Sequence, residues 1–174
     1  AEDGLPQHTI MDILQDKKDF MWFSTWNGLS RFDGYNFYTY KIQQGDEYHM
    51  RSNRLDHIWE DKYGYIWVLP YDREPHRFDS RTDKFTGIRS LKGHEDLTFI
   101  ATKIRPTPSG KVWLLSDKMG TVCVTDSMFN IELYNMENKK ISGNKVYAVH
   151  EDAESNSWIL TDNGLAQVVE NGAK

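Results

Sequence analysis

The sequence predicts an all-β chain made of four copies of one antiparallel sheet, and two observations carry that prediction. Tryptophan recurs every 45 or 46 residues, at Trp22, Trp67, Trp113 and Trp158. The surroundings of each keep one register, with an aliphatic residue nine positions earlier (Ile13, Ile58, Ile104, Val149) and Asp16, Asp61, Thr107 or Asp152 six positions earlier. A period of roughly 40 to 50 residues is that of stacked supersecondary units. The repeats run approximately over 5–41, 51–88, 98–134 and 142–169, within a single segment covering 1–174.

Each element of the unit follows from local chemistry. In copy one, Ile10, Ile13 and Leu14 suit either a helix or a buried strand, and the other copies decide between them. Copy four is rich in β-formers over 145–150 and copy three carries Pro106 and Pro108, so a short first strand fits all four. Asp16 to Asp19 and Asp61 to Gly64 then read as type I turns, with Asp at the first position and, in the second case, Gly at the fourth. The returning strands, 20–25, 65–70, 111–116 and 156–161, carry large apolar residues on both faces, as a sheet packed between two others requires.

Asn27-Gly28, Met119-Gly120 and Asn163-Gly164 turn the chain into third strands at 29–32, 121–124 and 165–168. Fourth strands are expected at 36–41, 84–88 and 131–134. Four strands of about five residues joined by short turns fill the period and leave no chain for helices. A four-stranded meander that is apolar on both faces fits a β-propeller blade better than a sandwich. Residues 1–174 end after the third strand of copy four, so the sequence predicts a partial propeller, either an open arc or a ring completed by oligomerisation.

Bulk composition narrows the function. A chain of 174 residues supports a core without disulfides or metals, and its one cysteine, Cys123, falls in an apolar run where a buried thiol is expected. The net charge is −5 and both signs are interspersed, which argues against nucleic acid as a partner. Apolar runs reach only five residues, against about 20 for a membrane span, so this segment is expected to make no membrane contact.

The repeat residues resemble those of the regulator-propeller family, found in the sensor domains of two-component histidine kinases, often hybrid ones. Copy one carries the resemblance along its length, in Gly4-Leu5-Pro6, Ile13-Leu14-Gln15-Asp16, Phe20-Met21-Trp22, Asn27-Gly28-Leu29 and the run from Arg31 to Phe37. Copy two keeps Asn53, Leu55, Ile58, Asp61, Gly64 and Trp67, and copy four keeps Asp152, Trp158 and Asn163-Gly164-Leu165. The resemblance implies a periplasmic ligand-sensing ectodomain, itself non-catalytic, whose parent chain carries further blades, a β-sandwich module and a kinase. It also implies an oligosaccharide ligand and a homodimer. The family's repeat residues are structural, so Trp22, Trp67, Trp113, Trp158, Asp16, Asp61 and Asp152 are expected to hold the fold.

A ligand face follows from strand direction instead. In a meander, the loop entering strand one and the loop joining strands two and three lie at the same end of the sheet. His8, Asn53 and Asn144 fall there, with Trp26 and the divergent loop from Tyr71 to His76. A divergent loop on a repetitive scaffold is a natural place for function. Trp26, Tyr71, Arg73 and His76 are therefore the candidate ligand-binding residues, able to stack on a sugar ring or pair with an anion.

Catalysis and cofactors find less support. The six histidines show no paired metal-ligand spacing, and no nucleophile elbow or phosphate loop occurs, so no catalytic residue, cofactor or metal is expected. Asp61 to Trp67 is similar to the Asp-box of sialidase propellers, with one extra residue, and that box is a fold element. A propeller lyase or glycosidase and a protein-interaction propeller are the alternative readings.

Overall fold

The structure, a computed structural model, describes residues 9–41 and 50–169. Among them are four antiparallel sheets in chain order. The first is β1 (Ile10–Gln15), β2 (Met21–Thr25), β3 (Gly28–Phe32) and β4 (Phe37–Tyr40). The second is β5 (Leu55–Glu60), β6 (Ile66–Pro70), β7 (His76–Asp79) and β8 (Lys84–Gly87). The third is β9 (Lys103–Pro106), β10 (Val112–Leu115), β11 (Thr121–Val124) and β12 (Ile131–Tyr134). The fourth is β13 (Val146–Glu151), β14 (Ser157–Thr161) and β15 (Gly164–Val168). Every neighbouring pair is consecutive in sequence, so each sheet is a meander, and one 3-10 turn follows β8 at Ile88–Ser90. The chain divides into two compact units, one holding the first two sheets and the other the last two together with Asp61–Tyr63.

In blades one, two and four an aspartate builds the first hairpin, and Thr107 stands in its place in the third. Asp16 accepts the backbone N–H of Lys18 at 2.9 Å and of Phe20 at 3.0 Å, and Asp152 does the same for Glu154 and Asn156. The fourth turn residue is left-handed in all four copies: Asp19, Gly64, Gly110 and Ser155 have φ between 65° and 107°. That geometry explains the glycines of copies two and three. The second turns need glycine more strictly, because a Cβ on Gly28 would stand 2.5 Å from the Tyr40 carbonyl oxygen.

In the first unit, the Trp22 ring is buried between the two sheets. It meets Phe78 edge to face at 5.8 Å and Tyr40 at 5.9 Å, within a cluster that includes Leu29, Leu55, Ile58 and Phe85. In the second unit, Trp113 lies 5.2 Å from Tyr134 and clusters with Val146, Val149 and Ile159 of the next sheet. Cys123 is buried in that same cluster. Burying an aromatic ring this way supplies much of a small domain's stability, and losing one costs about 3 to 5 kcal/mol. Trp67 is also fully buried, while Trp158 is half-buried. Strands β6 and β10 are buried at every position, whereas β2 and β14 alternate, the pattern of a sheet covered more fully on one face.

Polar contacts repeat as the apolar ones do. The last residue of a first strand reaches back to the hairpin turn of the preceding blade. Lys17 N donates to Glu60 Oε2 at 3.1 Å in one unit, and Ser109 N donates to Glu151 Oε1 at 2.9 Å in the other. At the opposite end of the strands, Gly28 N donates to the Asn53 carbonyl and Gly120 N to the Asn144 carbonyl, both at 2.8 Å. These bonds fix where each inbound loop crosses the preceding blade.

Candidate functional site

The candidate face lies in the first unit, where the loop entering the second blade meets the ends of β2 and β6. A register shift between Leu55 and His57 makes Asp56 a bulge residue, and the same strand position is bulged at Met11 and Tyr147. Bulges re-aim a side chain out of the strand's alternation. Asp56 is 6% exposed, and its carboxylate is met by Arg54 Nε at 3.1 Å and by Arg73 at 4.0 Å. A buried carboxylate needs such partners to offset its desolvation.

Held by Asp56, the Arg54 guanidinium lies over two exposed rings, 4.9 Å from the centroid of Trp26 and 4.3 Å from that of Tyr71. Trp26 is 47% exposed and Tyr71 62% exposed, so much of each ring remains open to a ligand. The backbone secures both. Tyr71 N donates to the Arg54 carbonyl at 3.0 Å, and the Trp26 indole donates to Met11 Sδ at 3.2 Å. Arg73 sits at φ 66° in a loop closed by its own N–H to the Pro70 carbonyl and by Glu74 N to Asp72 Oδ1. Each guanidinium–ring contact at an exposed site contributes about 0.5 to 1 kcal/mol, so the arrangement is pre-organised without being rigidly locked.

Three of the four residues singled out in the sequence therefore gather, and the fourth departs. His76 opens β7 instead of lying in the loop, is 2% exposed, and makes a ring-nitrogen contact with the Glu74 carbonyl at 2.9 Å. Its ring packs on Gly87 across the sheet, where a Cβ would stand 2.7 Å away. That is a core position, set by the inward phase of β7. Conversely, Arg54 and Asp56 complete the face and were not among the candidates. Arg54 adjoins Asn53 in the inbound loop, so its position was readable from strand direction, whereas the bulge that turns Asp56 was not. His8 lies outside the described residues.

Two adjacent carboxylates of the fourth blade have structural partners. Asp152 accepts the Trp158 indole, and Glu151 accepts Ser109. Among the described residues, no group of three His, Cys, Asp or Glu side chains converges as a metal site. No helix among them is long and apolar enough to cross a membrane.

These meanders, each using a second-strand indole in the same register, are β-propeller blades. Residues 4–27 match the family model of the two component regulator propeller, so the chain carries a regulator-propeller repeat at its first blade. Over 44 residues the chain is 43% identical to Histidine kinase P4 of Formosa agariphila, a match covering 25% of this chain and 3% of that protein. The extracellular domain of BT3049, a candidate hybrid two component system from B. thetaiotaomicron, superposes with a TM-score of 0.62 at 22% identity. That likeness covers 99% of this chain and 30% of the other. A catalytically inactive virginiamycin B lyase from Staphylococcus aureus, bound to quinupristin, shares the fold at a TM-score of 0.59 and 13% identity, over 97% of this chain and 59% of the lyase. The chain thus spans a small part of the kinase and under a third of the BT3049 ectodomain. At these identities the structural likenesses report the fold.

Proposed function

We propose that the chain is a ligand-sensing segment from the extracellular, periplasmic part of a two-component sensor histidine kinase, and that it binds an oligosaccharide without turning it over. The regulator-propeller repeat at 4–27 supports the sensor class. The observation that carries the binding role is the open Trp26–Arg54–Tyr71 arrangement, in which two half-exposed rings flank a guanidinium held by a buried carboxylate. Sugar rings offer apolar C–H faces to aromatic side chains and hydroxyl oxygens to guanidinium donors, so this surface suits them on both counts. Arg73 adds a second cation at the edge of the face, suited to a carboxylate or sulfate substituent.

Isothermal titration against a panel of neutral and acidic oligosaccharides tests this, with chromatography of the same mixtures. The expected result is saturable binding with no new products, weakened about tenfold by Trp26→Ala or Tyr71→Ala, equivalent to about 1.4 kcal/mol. New products would make the segment a lyase or glycosidase. Unchanged affinity in both variants would move the ligand elsewhere.

A further inference from the structure

The second unit contains a groove of about 250 Å³ lined by Lys103, Arg105, Leu115, Ala148, Val149 and His150. This is room for a small solute, since one water occupies about 30 Å³ of liquid. Lys103 and Arg105 are two apart on β9 and so share one face of the strand, and His150 comes from β13. All three are exposed, and among the described residues none of the three side chains makes a hydrogen bond, an ion pair or a ring contact. The carboxylates next to His150 in sequence are committed elsewhere: Glu151 to Ser109, and Asp152 to the Trp158 indole. Beneath the basic side chains, Leu115 and Val149 form an apolar floor that is 1% and 4% exposed. Two cations and an imidazole around one groove contrast with the chain's net charge of −5.

We propose that this groove is a binding site for a small oxyanion-bearing solute, a carboxylate or sulfate carried on a compact organic scaffold. Arg105 supplies the planar fork that pairs with two oxyanion oxygens, Lys103 a point charge, and His150 a further ring donor or acceptor. The apolar floor takes the scaffold. This site stands apart from the oligosaccharide reading, because none of its residues belongs to the Trp26 face.

Titration of the 174-residue chain at constant ionic strength with sodium glucuronate, sodium sulfate and glucose tests the proposal. Glucuronate is expected to bind saturably and glucose not at all, with Arg105→Gln and Lys103→Gln each weakening glucuronate at least tenfold. Lys84→Gln, far along the sequence on β8, is expected to change nothing. Sulfate binding as tightly as glucuronate would assign recognition to the oxyanion alone, and weaker sulfate binding would assign part of it to the scaffold. Either result supports the site. Equal binding of glucose, no saturable binding of either anion, or wild-type glucuronate affinity in a folded Arg105→Gln variant would overturn it, fold being checked by circular dichroism.

Discussion

The indole N–H of Trp22 donates to Asp16 Oδ2 at 2.7 Å, and Trp158 repeats the bond to Asp152 at 2.8 Å. One aspartate thereby closes the hairpin turn with one oxygen and holds the packing indole with the other. In the third blade Thr107 stands in the aspartate's place, and the buried Trp113 Nε1 has no hydrogen-bond partner among the described residues. An unpaired buried donor costs about 1 to 3 kcal/mol. Thr107→Asn, whose amide oxygen can accept the indole without setting a second carboxylate beside Glu151, to which Thr107 donates, is therefore expected to raise stability in urea by about 1 kcal/mol, and Asp16→Ala to lower it by about 2 kcal/mol, since a bond to a charged group is lost along with the turn bonds. A midpoint that stays or falls in Thr107→Asn would contradict the reading that the Trp113 indole lacks an acceptor.

Turn backbone offers a second test. Asp19 and Ser155 occupy the left-handed position that Gly64 and Gly110 hold in the middle copies. Glycine meets no Cβ penalty there, so Ser155→Gly is expected to stabilise the fold by about 0.5 to 1 kcal/mol in denaturant titrations. The Asp19→Gly change should give a smaller gain, because it also removes the contact from Gln15.

The backward-reaching glutamates give a third. Glu60→Ala removes the acceptor of Lys17 N, and Glu151→Ala that of Ser109 N and its hydroxyl. Each loss should cost about 1 to 2 kcal/mol. A double-mutant cycle of Ser109→Ala with Glu151→Ala should show coupling, which independent surface residues would not.

Acid should weaken the fold through the same groups. The Trp158 indole holds the Asp152 carboxyl below its usual 3.8, against opposing desolvation, with Asn156 adding to the effect. Glu132 lies below its usual 4.5 because Lys140 and then Tyr134 donate to it. At Glu151, burial pushes upward and is outweighed by the Ser109 bonds. A depressed folded-state value means that these carboxylates stabilise the fold above the unfolded range of about 3.8 to 4.5 and lose that contribution as pH falls through their folded values. Urea midpoints are expected to drop as pH falls below about 5, and Asp152→Asn should show a smaller drop.

Much of this architecture was legible in the residues because the repeat supplies four readings of each position. Ile10 to Leu14 alone fitted a helix as well as a strand, and the β-rich and proline-bearing counterparts decided for a strand at β1. The Asn-Gly turns and the indole packing followed from the same comparison. The ligand face was less legible. Where copy two departs from the repeat, the register of β7 cannot be read from its neighbours, so His76 was placed in the loop although it packs against Gly87. Asp56 escaped notice because a bulge, which no single residue type announces, turns it toward the two arginines, whereas Arg54 was readable beside Asn53 and was passed over.

The separation of structural from ligand-facing tryptophans can be read directly from indole N–H resonances in a ¹H–¹⁵N titration with a bound oligosaccharide. The Trp26 resonance is expected to shift with saturation, while those of Trp22, Trp67, Trp113 and Trp158 stay in place. A silent Trp26, or shifts spread over the four repeat indoles, would contradict the assignment of this face.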